Sequence, residues 1–297
     1  MNSKVIYLNG NFIEESKATL SPLNRGLMYG DGLFETFRAY KGKVFALNNH
    51  FERLSDSAHF LTIEVPFTKE DLSNILSELL EKNGLLNSDS RIRLTLIRGG
   101  SPAGLLPTGN EESIIIIAVE GVPASIEVIQ QKGIKLSILK NYRIDHSSPL
   151  AARKTINYIS GVLGMMEIRE LGSDEGVYLN NKNHIVEGIT SNIFLARGGK
   201  LLTPPLSSGL LPGITRDTVL EVAKELGIAC EEKNLISKDL FQADELFITS
   251  SVREVVPAIA IDEKEFSIGS LTREIQKGYK EYVASYFSNI DKRSASE

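Results

Sequence analysis

The spacing of apolar residues along the chain predicts alternating strands and helices. Apolar residues on both sides of Asn9-Gly10 predict a β-hairpin, because this dipeptide accepts the positive φ angles of a tight turn. Leucines and isoleucines at helical spacing predict a helix over 68–84, and β-branched runs predict strands over 91–98 and 113–119. In the second half, strands are predicted over 134–139, 177–179, 193–196 and 245–249, and helices over 156–171, 215–226 and 271–287.

A short stretch of small residues and proline divides this pattern into two parts. Gly121-Val122-Pro123-Ala124-Ser125 is typical of a linker between domains. We therefore predict a mixed α/β (α+β) fold with two domains. The predicted boundaries are a small N-terminal α/β domain over 1–120, a linker over 121–133, a larger domain over 134–290 and a frayed polar tail over 291–297.

The composition excludes several classes of protein. The 297 residues include 33 Lys plus Arg against 38 Asp plus Glu, and the net charge of −5 provides no basic surface for nucleic acid. Cys230 is the only cysteine, so an internal disulfide is excluded. No apolar run approaches the roughly 20 residues that a membrane-spanning helix needs. We therefore expect a cytoplasmic protein that binds neither nucleic acid nor membrane.

Several common catalytic and nucleotide-binding motifs are absent. The sequence has no Gly-x-x-x-x-Gly-Lys-Ser/Thr loop and no Gly-x-Gly-x-x-Gly turn between a strand and a helix. It also lacks the Gly-x-Ser-x-Gly elbow of serine hydrolases. The four histidines are scattered without ligand spacing, so we expect no bound metal.

Three segments have the chemistry to bind an anion such as phosphate. Residues 210–217 form a turn that leads into a helix, where exposed N–H groups and the helix dipole favour negative charge. Thr249-Ser250-Ser251 places hydroxyl groups at the end of a strand, and Arg53 is able to clamp a phosphate with two hydrogen bonds. Each segment alone also has an ordinary interpretation, as a helix cap, a turn or a solvated surface charge.

Two further residues are candidates for covalent and proton-transfer chemistry. Lys154 lies between an apolar segment and a predicted helix, and a lysine desolvated beside another cation has a lowered pKa and becomes a nucleophile. Glu187 follows two aliphatic residues and precedes a glycine, so it is either a turn residue or a carboxylate directed at a ring nitrogen. Alone, Lys154 is most simply a surface residue.

Six motifs that include these residues follow one another in a specific order. They are Tyr29-Gly30-Asp31-Gly32-Leu33-Phe34-Glu35-Thr36, His50 to Leu54, Lys154-x-x-Asn157-Tyr158, Glu187-Gly188 to Phe194, Leu210 to Thr215, and Glu245 to Pro257. In this order they resemble the class IV, fold-type IV pyridoxal-phosphate enzymes. That family includes branched-chain aminotransferases, D-amino-acid transaminases and 4-amino-4-deoxychorismate lyases. The resemblance covers nearly the whole chain and implies a large domain with a β-barrel-like core.

The resemblance implies a role for each candidate residue. Lys154 would form a Schiff base with pyridoxal 5'-phosphate and later transfer the α-proton, and Glu187 would keep the pyridinium nitrogen protonated. The other cofactor contacts would be Arg53, the backbone of Ile214 and Thr215, and a hydroxyl of Ser250 or Ser251 at the phosphate, with Leu211 and Tyr158 at the ring. The substrate contacts would be Tyr29, Phe34, Ala103 and Leu105.

The resemblance leaves the reaction open. Phe34, Tyr158 and Leu105 favour an apolar pocket, so we predict an aminotransferase that moves an amino group between an apolar or branched-chain amino acid and a 2-oxo acid. The alternatives are an aminodeoxychorismate lyase, which releases pyruvate and forms 4-aminobenzoate, and a D-amino-acid transaminase. A non-catalytic binding protein is also considered, but it has no physical need for both Lys154 and Glu187. The resemblance further implies a homodimer whose partner subunit helps to close the substrate pocket.

Overall fold

The computed structural model describes residues 3–100, 104–109 and 111–294. The chain forms two compact units. The first is built from residues 1–122 together with 153–157, and the second from residues 123–152 and 158–297. Each unit has its own buried apolar core.

The first unit is built on a six-stranded antiparallel sheet. Its strands are β1 (Val5–Leu8), β2 (Asn11–Glu14), β3 (Gly32–Tyr40), β4 (Lys43–Val44), β5 (Ser90–Ile97) and β6 (Ile114–Gly121), in the order β2-β1-β6-β5-β3-β4. Its helices are α1 (Arg25–Tyr29), α2 (Leu47–Phe60) and α3 (Lys69–Lys82). Leucines of α2 and α3 pack with apolar side chains of β3, β5 and β6 to form the core.

Local sequence signals explain several of these elements. The predicted hairpin is confirmed, because β1 pairs with β2 and the turn residues Asn9 and Gly10 have φ angles of 46° and 88°. The helix predicted over 68–84 is confirmed as α3. Thr68 and Asp71 form a reciprocal capping box at its start, which satisfies two N–H groups that the helix cannot pair internally.

A short segment from later in the chain adds to the sheet of the first unit. Leu33 of β3 pairs with Thr155 in antiparallel fashion. The N–H of Phe34 donates to the carbonyl of Lys154 (2.9 Å), and the N–H of Ile156 donates to the carbonyl of Gly32 (3.0 Å). Because this main chain is already paired with β3, it is not helical. The helix predicted from residue 156 therefore starts three residues later.

The second unit contains a nine-stranded mixed sheet. The strands are β7 (Ile134–Ile144), β8 (Glu175–Asn180), β9 (Ile185–Gly188), β10 (Asn192–Arg197), β11 (Lys200–Thr203), β12 (Cys230–Glu232), β13 (Glu245–Ser250), β14 (Glu254–Ile261) and β15 (Lys264–Glu265). Their order is β12-β11-β10-β13-β14-β7-β8-β9, and β15 pairs with β14. The edge strand β9 also contacts β10, and in the turn that joins these two strands the N–H of Gly188 donates to the carbonyl of Ser191 (2.7 Å). The sheet is therefore curled, and the predicted mixed α/β fold is confirmed.

Five helices accompany this sheet. They are α4 (Ser125–Lys132), α5 (Ile159–Glu170), α6 (Ile214–Glu225), α7 (Ser237–Phe241) and α8 (Ser270–Ser294). Most of the segment expected as a linker, residues 121–133, is thus occupied by α4. The last helix continues to Ser294, into the stretch expected as a frayed tail, whereas the apolar pattern predicted an end at residue 287. In both places the helix runs through residues that are mostly polar. A prediction based on the spacing of apolar residues therefore does not find a helix there.

Candidate active site

Lys154 lies on the paired segment beside β3 in the first unit. Its ammonium nitrogen is 4.4 Å from the centroid of the Phe34 ring, and the guanidinium carbon of Arg93 is 3.9 Å from the same centroid. Phe34 itself is buried. Two cations that share one aromatic ring are stabilised by its negative face. The structure therefore brings two predicted residues together and adds Arg93, which the sequence pattern did not reveal.

Arg53 is held by a buried carboxylate in the same unit. Its Nε and Nη2 groups each donate to Glu35 at 2.7 Å, in the bidentate geometry of strong arginine–carboxylate pairs. The Nδ1 of His50 donates to the same carboxylate at 2.8 Å. Glu35 and His50 are only 1% and 2% exposed. Burial alone would raise the pKa of Glu35, but Arg53 and His50 outweigh it and keep that pKa well below its usual range.

Glu187 lies in the second unit and its carboxylate is held in a fixed position. Its Oε2 accepts hydrogen bonds from the backbone N–H of Leu211 (3.1 Å) and from the side-chain amide of Asn192 (3.2 Å). The same amide donates to the carbonyl of Leu211 (3.0 Å). Donors directed at a carboxylate favour its charged form. Asn192 was missed by the sequence analysis, although it lies five residues after Glu187 in the same motif.

The N-terminus of α6 lies close to Asn192 as well. Gly213 precedes the helix, and a Cβ built on it would lie 1.8 Å from the side-chain oxygen of Asn192, so only glycine fits there. Gly213 has no side chain to cap this helix, and the first N–H groups, here those of Ile214 and Thr215, have no partner within the helix itself.

The end of β13 completes this part of the second unit. Thr249 pairs with Asn192 across the strands, and its hydroxyl is buried without a hydrogen-bond partner among the described residues. Ser250 is the last residue of β13, and Ser251 begins the turn that follows. The N–H groups at the start of α6, the close approach of Gly213 and the hydroxyl groups at the end of β13 are donors of the kind that bind a phosphate group.

The remaining predicted residues lie in other environments. The Tyr158 hydroxyl, in the second unit, donates to the carbonyl of Ile189 (2.7 Å). In the first unit, buried Arg25 links two predicted substrate contacts. Its guanidinium carbon is 5.3 Å from the ring of Tyr29, and its Nη2 donates to the carbonyl of Leu105 (2.7 Å). Ala103 lies outside the described residues.

Two other kinds of feature are absent from residues 3–100, 104–109 and 111–294. Three or more His, Cys, Asp or Glu side chains do not gather there in a way that could hold a metal ion. No helix in these ranges is both long enough and apolar enough to cross a membrane.

Comparison with known proteins assigns the family. The sequence profile of the amino-transferase class IV family matches residues 32–261. The chain is 39% identical over 280 residues to a provisionally named branched-chain-amino-acid aminotransferase of Methanocaldococcus jannaschii, covering 93% of this chain and 95% of that protein. It is 33% identical to the aminodeoxychorismate lyase of Bacillus subtilis, with 94% of each chain covered. D-alanine aminotransferases are among the other relatives. The chain belongs to the class IV aminotransferases.

A solved relative supports both the fold and the cofactor. It is the branched-chain amino acid aminotransferase from T.th., crystallised with N-(5'-phosphopyridoxyl)-L-glutamate, and it superposes with a TM-score of 0.87 at 29% identity, covering 96% of each chain. The family, the fold and the enzyme class predicted from the sequence are thus confirmed. The predicted cofactor, pyridoxal 5'-phosphate, agrees with the phosphopyridoxyl group of that complex.

Proposed function

We propose that the protein is a pyridoxal-phosphate-dependent aminotransferase that moves an amino group between an apolar or branched-chain amino acid and a 2-oxo acid. The observation that carries this proposal is the position of Lys154, whose ammonium nitrogen lies 4.4 Å from the centroid of the buried Phe34 ring. A reactive amine beside an apolar wall suits a substrate with an apolar side chain. The relative of 39% identity, named as a branched-chain-amino-acid aminotransferase, supports the same substrate class.

Lys154 carries the covalent and proton-transfer chemistry in this proposal. The bound cofactor supplies an electron sink for the charge left on the substrate when a proton is removed. Lys154 Nζ takes that proton from the substrate Cα and can return it, because an amine released next to the reacting atom acts as a general base and acid. Its main chain is paired with Gly32 and Phe34, which fixes the starting point of the side chain.

The candidate residues of the second unit would bind the cofactor and orient it. Glu187 would hold a proton at the ring nitrogen, and Asn192 together with the N–H of Leu211 keeps its carboxylate in place. The N–H groups of Ile214 and Thr215, the hydroxyl of Ser250 or Ser251 and the Arg53 side chain would bind the phosphate. Leu211 and Tyr158 would contact the ring. Each of these assignments is part of the proposal and follows the family resemblance.

Arg93 supports an acidic amino acid as the second substrate. Its guanidinium carbon lies 3.9 Å from the centroid of the Phe34 ring, over which the Lys154 ammonium group also lies. A guanidinium in that position can bind a carboxylate in bidentate fashion. The solved relative complexed with a phosphopyridoxyl derivative of L-glutamate is consistent with such a donor. We therefore propose that Phe34 faces the apolar side chain of one substrate and Arg93 the side-chain carboxylate of the other.

A half-reaction titration tests the proposed reaction. L-leucine, L-glutamate and D-alanine are added separately to the holoenzyme, and the absorbance of the bound cofactor is followed. Conversion to the pyridoxamine form by L-leucine and L-glutamate, with release of the matching 2-oxo acids, is the expected result. Conversion by D-alanine alone would establish the opposite handedness.

A second candidate is aminodeoxychorismate lyase, because the B. subtilis enzyme of that name matches over 94% of the chain. It shares the proton removal by Lys154 but expels pyruvate and forms 4-aminobenzoate. If none of the three amino acids changes the absorbance, formation of 4-aminobenzoate from aminodeoxychorismate would identify the protein as the lyase.

The proposal also includes a cytoplasmic homodimer, which the family resemblance supports. Light scattering after gel filtration tests the dimeric state.

A further inference from the structure

The turn between β13 and β14 carries Ser250 and Ser251, and an arginine within this turn holds it in place. Arg253 Nη2 donates to Glu175 Oε2 (2.5 Å) and to the hydroxyl of Thr190 (2.7 Å). Its Nε donates to the hydroxyl of Ser250 (3.3 Å). One side chain therefore links the end of β13 to the start of β8 and to the turn that follows Glu187.

The carboxylate that Arg253 binds is deeply buried. Glu175 is 1% exposed, and the Arg253 side chain is 19% exposed. Glu175 also accepts from the backbone N–H of Thr190 (3.2 Å) and from its hydroxyl (2.8 Å). A buried carboxylate is costly unless it is paired and hydrogen-bonded, so the ion pair and both Thr190 donors act together.

The backbone of the same turn is held from the other side. Gln130 of α4 donates from its side-chain amide to the carbonyl of Arg253 (3.0 Å) and to the carboxylate of Glu254 (2.9 Å). Glu254 has a φ of +57°, a conformation that costs a residue other than glycine free energy and persists only where the surroundings enforce it. The three-residue turn 251–253 therefore has one defined conformation.

We propose that Arg253 is a positioning residue of the cofactor site, which fixes the Ser250 hydroxyl so that its O–H donates a hydrogen bond to the cofactor phosphate. The physical reason lies in the Nε contact. Because the Ser250 oxygen accepts a hydrogen bond from Arg253, its own O–H is directed elsewhere, and a phosphate oxygen is the acceptor that the neighbouring donor set fits. The inference rests on the proposed function, in which this part of the second unit binds phosphate.

Comparison of two aldehydes tests this role in the apoenzyme. Pyridoxal 5'-phosphate and pyridoxal react with the same lysine and differ only in the phosphate, so the ratio of their dissociation constants isolates the phosphate contact. In Arg253→Lys, a lysine can keep the ion pair with Glu175 but has no Nε–H for Ser250. We expect the dissociation constant for pyridoxal 5'-phosphate to rise roughly 10-fold, as for the loss of a hydrogen bond to a charged group, and that for pyridoxal to change less than about 2-fold.

Three further variants keep the test decisive. Arg197→Met removes an arginine of the same unit that pairs with Asp239 and is itself 46% exposed, and it should leave both dissociation constants unchanged. Arg253→Met removes the whole guanidinium group and should show the same selective loss as Arg253→Lys. If Arg253→Met unfolds because Glu175 has lost its ion pair, the double variant Glu175→Gln/Arg253→Met removes both charges and should again show the loss for the phosphorylated aldehyde alone.

Three results would overturn this assignment or its basis. Unchanged binding of both aldehydes in Arg253→Lys would remove the residue from the phosphate contact. An equal loss for both would show that Arg253 only stabilises the fold. If the wild-type apoenzyme bound both aldehydes equally well, the proposed phosphate site itself would be wrong, and the proposed function would fail first.

Discussion

Replacement of Glu35 by glutamine should destabilise the first unit strongly. The carboxylate is 1% exposed and accepts three short hydrogen bonds, two from Arg53 at 2.7 Å and one from His50 at 2.8 Å. Glutamine has almost the same shape, but it removes the negative charge and places an amide donor against groups that are themselves donors. Removing one member of a buried ion pair costs about 3–5 kcal/mol. We expect the free energy of unfolding of Glu35→Gln to fall by about this amount at pH 7.

The stabilisation that the Glu35 carboxylate provides should depend on pH, and the lowered pKa of this group gives the direction of the change. Burial would raise the pKa of Glu35 above its ordinary value of 4.5, but Arg53 and His50 hold it well below that value. The unfolded chain therefore takes up a proton that the folded protein does not, so the stabilisation is present above about pH 4.5 and is lost as the pH falls further. Burial also lowers the pKa of His50 below 6.5, although the Glu35 carboxylate opposes this. Protonation of His50 in the unfolded chain adds a loss of stability that begins below about pH 6.5.

Urea unfolding followed by circular dichroism at several pH values measures both effects. The matched control is Glu120→Gln, which removes a carboxylate that pairs with Arg91 between β5 and β6 of the same sheet. That pair is 42–49% exposed, and such pairs contribute about 0–1 kcal/mol. If Glu35→Gln lost no more stability than Glu120→Gln, or if it kept the wild-type loss below pH 4.5, the buried pair would not have the role derived from its geometry.

Four further substitutions test the candidate site. Lys154→Ala should leave no cofactor covalently attached after borohydride reduction, as measured by mass spectrometry, and turnover at the wild-type rate would contradict the mechanism. Arg53→Ala should weaken binding of pyridoxal 5'-phosphate by about 2–5 kcal/mol in a fluorescence titration, and an unchanged affinity would remove it from the phosphate site. Asn192→Ala removes a hydrogen-bond donor to Glu187 and should cost about 0.5–1.5 kcal/mol of cofactor affinity, whereas no change would make the contact incidental. Gly213→Ala forces a Cβ to within 1.8 Å of Asn192 and should lower the free energy of unfolding by about 1–3 kcal/mol, which a wild-type melting curve would refute.

The elements best predicted from the sequence are those that local signals specify. The Asn9-Gly10 turn and the Thr68 capping box depend on residues close in the chain, and both are present. The motif identified Lys154 as a candidate residue, but it did not predict the main-chain conformation around this lysine. Its segment precedes a helical apolar pattern, and the pairing with β3, far away in the sequence, keeps it extended.

The residues that the sequence did not reveal act through contacts between distant elements. Asn192 has the sequence surroundings of a turn, because it follows Thr190 and Ser191. Its importance comes from the register of β10 with β13 and from the close approach of Gly213. Arg253 likewise meets Glu175 only because β13, β14 and β8 belong to one sheet. Single-sequence patterns carry no information about such partners, although Asn192 lies within a motif that the sequence does identify.

The return of residues 153–157 to the first unit matters for the order of events during synthesis. The sheet built from residues up to 122 is finished only when this later segment has been made and has paired with β3. A nascent or truncated chain that stops after β6 therefore lacks residues 154–156, whose main chain pairs with Gly32 and Phe34, and with them the lysine itself. Because synthesis runs from the N-terminus, the residues of all the other strands of this sheet are made before the lysine. The reactive amine is thus among the last parts of that unit to arrive, and an unfinished chain cannot present it beside Phe34.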